Sequence, residues 1–459
     1  MSRKNILLSF FVIVIFLVGF GLFKANGFAK TGTAYMAKVI CSEIFVAGRT
    51  LDHIKGNDFK SIHPMLAKVS ARVNERKKNV TTSLLGLGKA KAIYRENVGC
   101  TLNATDKTSL VSNLPTISPK PWESAKRASA NALPRVDYDR LARSVEEAFE
   151  KDGLNHRAIL VAVDGKLVFE HYADGFDQNS KLLSWSAAKS IVATLIGIGV
   201  HKNYLNIQDR LPVPEWDSDP ARNSIRWDDL LRMQSGLDFD EDYADTNSDV
   251  NRMLFKSASM AALAAKSTAL HKPATHFYYS SGSSNLLSRA IGDEVEAEGS
   301  SIIPFAYTNF LVPLGLTNTT LETDAAGDFV GSSYVYASGR DWLKMGQLYL
   351  QDGVWEGVRI LPDNWNDYVA TPTPSSDNQY GAHFWLNRDG DKAPENGEPR
   401  KRFFPDMPDN VYFFAGRDGQ YVVIMPDKNM VLVRLGITRE HPVIPKIAGL
   451  FTEIYQSVE

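Results

Sequence analysis

The chain has two cysteines, Cys41 and Cys100, in 459 residues. Two cysteines exclude a scaffold built from disulfides and leave no paired-cysteine zinc motif. His-Glu-x-x-His is missing as well, so no metal centre and no cofactor is expected. Without a Gly-x-Ser-x-Gly elbow the chain does not read as an α/β-hydrolase, and Gly86-x-Gly88 lacks the third glycine of a dinucleotide loop. An excess of one charge is also wanting: 51 Lys and Arg stand against 53 Asp and Glu, a net of −2, so no basic field recruits nucleic acid. A composition 44% apolar and 23% charged excludes collagen-like, coiled-coil and low-complexity classes. The length suggests about two or three folding units.

Long apolar runs are scarce too, and the single long one is at the N-terminus. Ile6–Phe23 is interrupted only by Ser9, Gly19 and Gly21 and is preceded by Arg3 and Lys4. As a helix it reaches about 27 Å, close to the hydrocarbon thickness of a bilayer. Basic residues ahead of it keep the N-terminus cytoplasmic and send the rest across. Residues 1–29 are therefore expected to be a signal anchor. Ala25-x-Gly27 and Gly27-x-Ala29 offer the alternative of a cleaved signal peptide and a secreted product. The expected location is the outer side of the cytoplasmic membrane, periplasmic in a Gram-negative cell. The part beyond the run has 48 basic against 53 acidic side chains, a net of −5.

Residues 30–100 read as an N-terminal module with a basic cluster: Arg72, Arg76, Lys77, Lys78, Lys89, Lys91 and Arg95. A solvated face is the simplest reading of that cluster, and contact with anionic lipid heads is the alternative. In an oxidising compartment Cys41 and Cys100 have only each other, and bridging them closes a loop of about 60 residues, worth roughly 4 kcal/mol in the chain-entropy model. Residues 101–134, with Pro115, Pro119, Pro121 and Pro134, read as a linker.

From 135 to 459 the pattern is that of one α/β domain. Leu141, Val145 and Phe149 mark a helix stopped by Gly153. Ala158–Val163 and Lys166–Tyr172 flank Asp164-Gly165 as a hairpin. Near the other end, 411–415, 420–425 and 430–435 are strand-like, and Ile447, Leu450, Phe451 and Ile454 mark an amphipathic helix. One antiparallel sheet built from both chain ends and flanked by helices is expected, with a mostly helical lobe, about 190–400, inserted between them.

Three short segments carry chemistry. Ser186 is the one serine followed by lysine at i+3, Lys189, and the pair opens the apolar run Ile191–Val200. In a helix both fall on one face, with free N–H groups and the positive dipole end at the serine. A buried lysine of lowered pKa can serve as the base that serine needs. Tyr279-Ser280-Ser281 follows 93 residues after Ser186, and a tyrosine near such a lysine can relay protons. Phe414-Ala415-Gly416-Arg417-Asp418-Gly419-Gln420 is a glycine-bounded strand edge whose N–H groups can polarise a carbonyl. Each segment alone fits an ordinary helix start, turn or hairpin.

Together, Ser-x-x-Lys, Tyr-x-Ser and the glycine-containing edge resemble the penicillin-recognising serine hydrolases, in the branch of class C β-lactamases, esterases and 6-aminohexanoate-dimer hydrolases. Supporting segments are Asp229–Asp238, Tyr336–Asp341 and Tyr380–Trp385, and the resemblance covers roughly 155–440. It implies a β-lactamase/transpeptidase-like fold, Ser186 as nucleophile, Lys189 as base, and Tyr279 as proton shuttle. The oxyanion hole it implies is the N–H groups of Ser186 and Gln420, with Ser281, Arg417 and Gly419 lining the substrate site.

Ser281 stands where β-lactamases commonly have Asn, as in the dimer hydrolases, and Arg417-Asp418-Gly419 stands where Lys-Thr-Gly or His-x-Gly is common. Arginine keeps the charge but cannot act as a base, which points away from β-lactams and toward a small amide or ester. The acidic run Asp238, Asp240, Glu241 and Asp242 spaces its carboxylates like a calcium loop, but Tyr243 occupies the required glycine. A solvated loop or a substrate-amine contact remains. The rival functions are a catalytically silent cell-envelope binding protein on this fold and a DD-peptidase.

Overall fold

The structure is a computed structural model that describes residues 26–59, 62, 64–104, 111, 113–122, 132–151, 153–391 and 400–459. The expected anchor Ile6–Phe23 lies outside the described residues, as do Arg3, Lys4 and Ala25. Among the described residues no helix is long and apolar enough to cross a membrane.

The central sheet joins the two ends of the chain from 135 to 459. Its strands run in the order Trp385–Leu386, Tyr412–Gly416, Gln420–Met425, Met430–Gly436, His156–Val163 and Lys166–Tyr172, all antiparallel. The seam between the chain ends pairs Val433 with Leu160 and Met430 with Val163. Every residue of the three central strands is buried, because helices cover both faces. Alternation sorts the side chains. Ile159, Val161 and Val163 join Leu141, Val145, Ile447 and Phe451 of the helices Tyr138–Glu150 and Ile444–Gln456. Leu160 and Ala162 face the larger core with Trp342 and Leu348 of the helix Gly339–Leu350. That helix rides close to the sheet at Gly346, where a Cβ would stand 2.6 Å from Val431 and 2.8 Å from Val422.

Between Leu183 and Trp385 the chain carries most of the helices, including Gly339–Leu350 on the central sheet, together with a small three-stranded sheet. At the centre of this stretch is the helix Ala188–His201, buried on all sides from Ala188 to Gly199, as a helix apolar all round must be. The helix Ser281–Ala297 packs beside it.

The N-terminal module comprises a helix over residues 26–45 and an antiparallel meander, Val69–Asn74, Asn79–Leu84, Leu87–Arg95 and Gly99–Leu102. Cys41 and Cys100 are disulfide-bonded, tying helix to meander. The module shares one core with the C-terminal domain: Met36, Ile40 and Val80 lie in the same apolar cluster as Leu160 and Trp342. At the joint Lys38 pairs with Glu322, and both are buried. Glu322 also accepts from Ser42 Oγ and the Cys100 N–H, each at 2.7 Å. Arg95 does not belong to the exposed basic cluster. It is 3% exposed and donates to Thr323 Oγ1 and the Asp324 carbonyl, whereas Arg72, Lys89 and Lys91 are exposed on the meander. The linker stretch 113–122 lies along the body, where the Lys120 carbonyl accepts from Lys344 and Trp122 donates to the Gly165 carbonyl at 2.7 Å.

Removing one partner of a buried ion pair strands the other charge in a medium that cannot solvate it. Glu322→Ala is therefore expected to cost about 3–5 kcal/mol of stability. The double change Lys38→Met with Glu322→Leu should cost less than the single one. Urea unfolding of the three chains measures both values.

Candidate active site

The turn that carries Ser186 is short and held at its start. Ser184 bonds to Val335 in both directions, N–H to carbonyl at 2.8 Å and Oγ from the Val335 N–H at 3.1 Å. The turn Trp185–Ala187 then leads into the helix Ala188–His201. Trp185 sits at φ +46°, a left-handed conformation that is costly for a bulky residue and typical of functional turns. It brings Ser186 to the wall of a cleft of about 310 Å³.

Lys189, 1% exposed, lies behind the serine. Its Nζ is 3.2 Å from Ser186 Oγ, 3.1 Å from Ser281 Oγ and 3.0 Å from the Ser332 carbonyl. Three acceptors match the three donors of an ammonium; once neutral, the amine has a lone pair for the Ser186 proton. Burial lowers its pKa to about 8, against an opposing pull from the Glu241 carboxylate. The amine also lies 4.9 Å from the centre of the Tyr279 ring. Tyr279 lines the cleft with Ser186; burial chiefly, with Glu241 adding and Ser186 opposing, holds its hydroxyl pKa well above the phenolic range. Tyr279 is thus a neutral phenol, suited to donating a proton rather than to standing as a base.

Ser281 opens the helix Ser281–Ala297, where Ser280 caps the Ser283 N–H. Its N–H donates to Glu241 Oε2 at 2.8 Å and its hydroxyl to Glu241 Oε1. A carboxylate is favoured at this helix end. Ser281 thereby links Lys189 to Glu241. The Tyr243 hydroxyl donates to the same carboxylate at 3.2 Å, and the Arg417 guanidinium lies 5.3 Å from the Tyr243 ring centre. Asn251 Nδ2 fixes this loop by donating to the carbonyls of Tyr243 and Asp245, at 3.1 and 2.8 Å. Of the acidic run, Glu241 alone enters the cleft wall. Asp240 and Asp242 accept main-chain N–H groups within the loop.

The third segment is divided by its turn. The strand Tyr412–Gly416 ends against the Ser186 turn: a Cβ on Gly416 would lie 2.0 Å from the Ser184 carbonyl oxygen and 3.2 Å from the Ala187 nitrogen. Only glycine permits that approach. Ala415, Gly416 and Arg417 border the cleft with Ser186. Gln420 and Gly419 do not. Gln420 is Gly416's partner across the hairpin; its amide donates to the Arg417 and Gly436 carbonyls, and it lines a separate cavity behind the turn. Gly419, at φ +93°, is packed on the Arg434 guanidinium. The oxyanion donor expected at Gln420 is therefore corrected to this strand end. The Arg417 N–H, engaged by no main-chain carbonyl among the described residues, fits that role beside the Ser186 N–H. The Asp418 side chain is buried and paired with Arg439, so it does not face the cleft.

Ser186, Lys189, Tyr279, Ser281 and Arg417 thus converge as the sequence pattern implies. Glu241 and Tyr243 are additions that the sequence flagged only as part of an acidic run. Aromatic walls, Trp185, Trp385, Phe403, Phe413 and Tyr421, complete the cleft.

A protein-family model described as beta-lactamase matches residues 141–442. The chain belongs to the beta-lactamase family, the penicillin-recognising serine hydrolases. Solved structures agree at the level of fold. A Bacillus anthracis chain assigned as a 6-aminohexanoate-dimer hydrolase aligns over 74% of this chain and 87% of its own, with 18% identity and a TM-score of 0.57. A family VIII carboxylesterase aligns over 71% and 98%, at 14% identity and a TM-score of 0.54. A penicillin-binding protein homolog from Caulobacter crescentus aligns over 70% and 99%, at 14% and 0.52.

If neutral Lys189 takes the Ser186 proton, acylation requires the deprotonated amine. The rate should rise with pH along a limb centred near 8. Glu241 stabilises the ammonium, so Glu241→Gln should move that limb to lower pH. Initial rates of covalent labelling between pH 5 and 10 check both the position and the direction.

Proposed function

We propose that this serine hydrolase cleaves a small amide or ester through an acyl-enzyme on Ser186. The observation that carries the reading is the Lys189 amine held between Ser186 and Ser281, in a cleft whose wall Ser186 and Tyr279 share. Ser186 Oγ attacks the substrate carbonyl carbon as its proton passes to Lys189 Nζ. The carbonyl oxygen, now an oxyanion, takes hydrogen bonds from the Ser186 and Arg417 N–H groups. Collapse breaks the bond to the leaving group, which takes a proton through Tyr279 as Lys189 reprotonates the relay. Water then attacks the ester by the same route, returning the acid and free Ser186.

The aromatic walls favour an apolar acyl or leaving group. Arg417, half-exposed, supplies a fixed cation where many β-lactam-cleaving relatives have lysine or histidine. This supports an esterase or small-amide hydrolase over a true β-lactamase. We further propose that the enzyme works outside the cytoplasm, tethered by the apolar run Ile6–Phe23; the disulfide between Cys41 and Cys100 suits that compartment.

A fluorophosphonate probe should label the wild-type chain, and Ser186→Ala should abolish labelling; equal labelling of the two would exclude Ser186 as nucleophile. Short-chain p-nitrophenyl esters should turn over faster than a chromogenic cephalosporin. The reverse order would make the enzyme a β-lactamase.

A further inference from the structure

The residues that match the family begin at 141, yet the catalytic turn leans on a part of the chain far ahead of that point. Tyr35, on the helix over residues 26–45, stacks flat on Trp185, with ring centres 6.2 Å apart and planes 9° from parallel. Trp185 immediately precedes the nucleophile and holds the left-handed backbone that turns Ser186 into the cleft. Phe59 and Phe255 meet Tyr35 edge-on at 6.0 and 5.8 Å, fixing the ring that supports the indole.

A second hold lies on the other side of the serine. The turn that presents Arg417 continues into Asp418, at φ +62° with its side chain 1% exposed. Asp418 pairs with Arg439 at 2.5 Å, and the other arm of Arg439 donates to the Asp58 carbonyl at 2.6 Å. Asp58 is itself fixed by ion pairs to Arg49 and Arg157. Tyr35, Asp58, Trp185, Asp418 and Arg439 border one cavity of about 20 Å³, room for about one water and no ligand. It is a joint rather than a binding site.

We infer that the N-terminal module is a working part of the active site: Tyr35 positions Ser186 through Trp185, and Asp58 positions the Arg417 main chain through Arg439 and Asp418. The inference rests on the hydrolase reading above. The nucleophile and the second oxyanion donor stand on two different segments, the Ser184–Ala187 turn and the end of a hairpin. Their mutual placement decides the acylation rate, and the module touches both. Apolar stacking allows the ring to be replaced by another flat ring but not by an aliphatic group of similar bulk. The Arg439 link requires two separated donors.

The test uses the full chain and pre-steady-state acylation by a p-nitrophenyl ester, with thermal melting in parallel. Tyr35→Leu and Arg439→Gln should each lower the saturating acylation rate constant by about 10- to 100-fold, while half-saturation stays within about twofold because neither residue itself lines the cleft. Tyr35→Phe, which keeps the stack, should acylate within about twofold of wild type. Wild-type acylation in well-folded Tyr35→Leu and Arg439→Gln chains would overturn the inference. So would equal losses in Tyr35→Phe and Tyr35→Leu, or losses that track melting temperature alone. If Tyr35→Leu does not melt cooperatively, Tyr35→Met takes its place with the same two outcomes. A wild-type chain that neither forms an acyl-enzyme nor labels at Ser186 would instead end the hydrolase reading, and this inference with it.

Discussion

One amine taken out of water governs this architecture. Lys189 has its charged end among Ser186, Ser281 and the Ser332 carbonyl, with no solvent to share the cost of ionisation. An ammonium in such a place is tolerated only when each of its protons finds an acceptor, and those acceptors must not drift. Asn285 fixes the Ser332 segment, accepting its N–H at 3.2 Å and donating to its Oγ at 3.1 Å. Behind the lysine, His383 is held between Ser284 and the Leu231 carbonyl. Burial chiefly lowers the His383 pKa to about 3, so no second cation forms under the first. The all-round burial of the helix Ala188–His201 is what allows the lysine to be dry.

Burial alone would push that amine toward permanent neutrality. Glu241 opposes it through Ser281, which accepts from Lys189 and donates to the carboxylate. The two influences together leave the amine with a pKa of about 8. Glu241 also raises the pKa of Tyr279, where it adds to burial. The same carboxylate therefore separates the two groups: it favours a lysine that can carry a proton and a tyrosine that keeps its own. That division is what an acid–base relay with a single serine nucleophile requires.

How much of this was legible in the sequence depends on how local each feature is. Ser186 and Lys189 are one helical turn apart, so their spacing already places them on one face. The strands around Asp164-Gly165 and 426–429 were legible because apolar runs bounded by turn residues need no distant information. Tyr279 became legible through its order relative to the other two segments. Gln420 was misassigned because a three-residue turn separates it from Gly416: the residue before the turn borders the cleft and the one after it faces the cavity behind. Composition cannot show which side of a hairpin approaches a neighbouring turn; the missing Cβ of Gly416 was the available signal. Glu241 was one of four acids in a run, and its selection depends on Asn251 gathering the loop. The docking of the N-terminal module was beyond local reading altogether, since Lys38 meets a carboxylate 284 residues away.

That joint is unusual in what it buries. Lys38 with Glu322, Arg49 with Glu43 and Asp58, Arg157 with Asp58, and Arg439 with Asp418 all lie where the module meets the catalytic domain. Buried ion pairs are weak sources of net stability, because desolvation offsets most of their attraction. The apolar cluster shared by Met36, Ile40, Leu160 and Trp342 supplies the adhesion. What the two pairs that cross the joint, Lys38 with Glu322 and Arg157 with Asp58, add is direction: each holds only in one register, and a sliding joint would strand charges that a greasy contact would forgive. A module attached only for bulk would need the apolar contacts alone. One that must deliver Tyr35 to Trp185 and the Asp58 carbonyl to Arg439 needs a fixed register, and the disulfide between Cys41 and Cys100 anchors the helix that carries Tyr35 to the meander behind it.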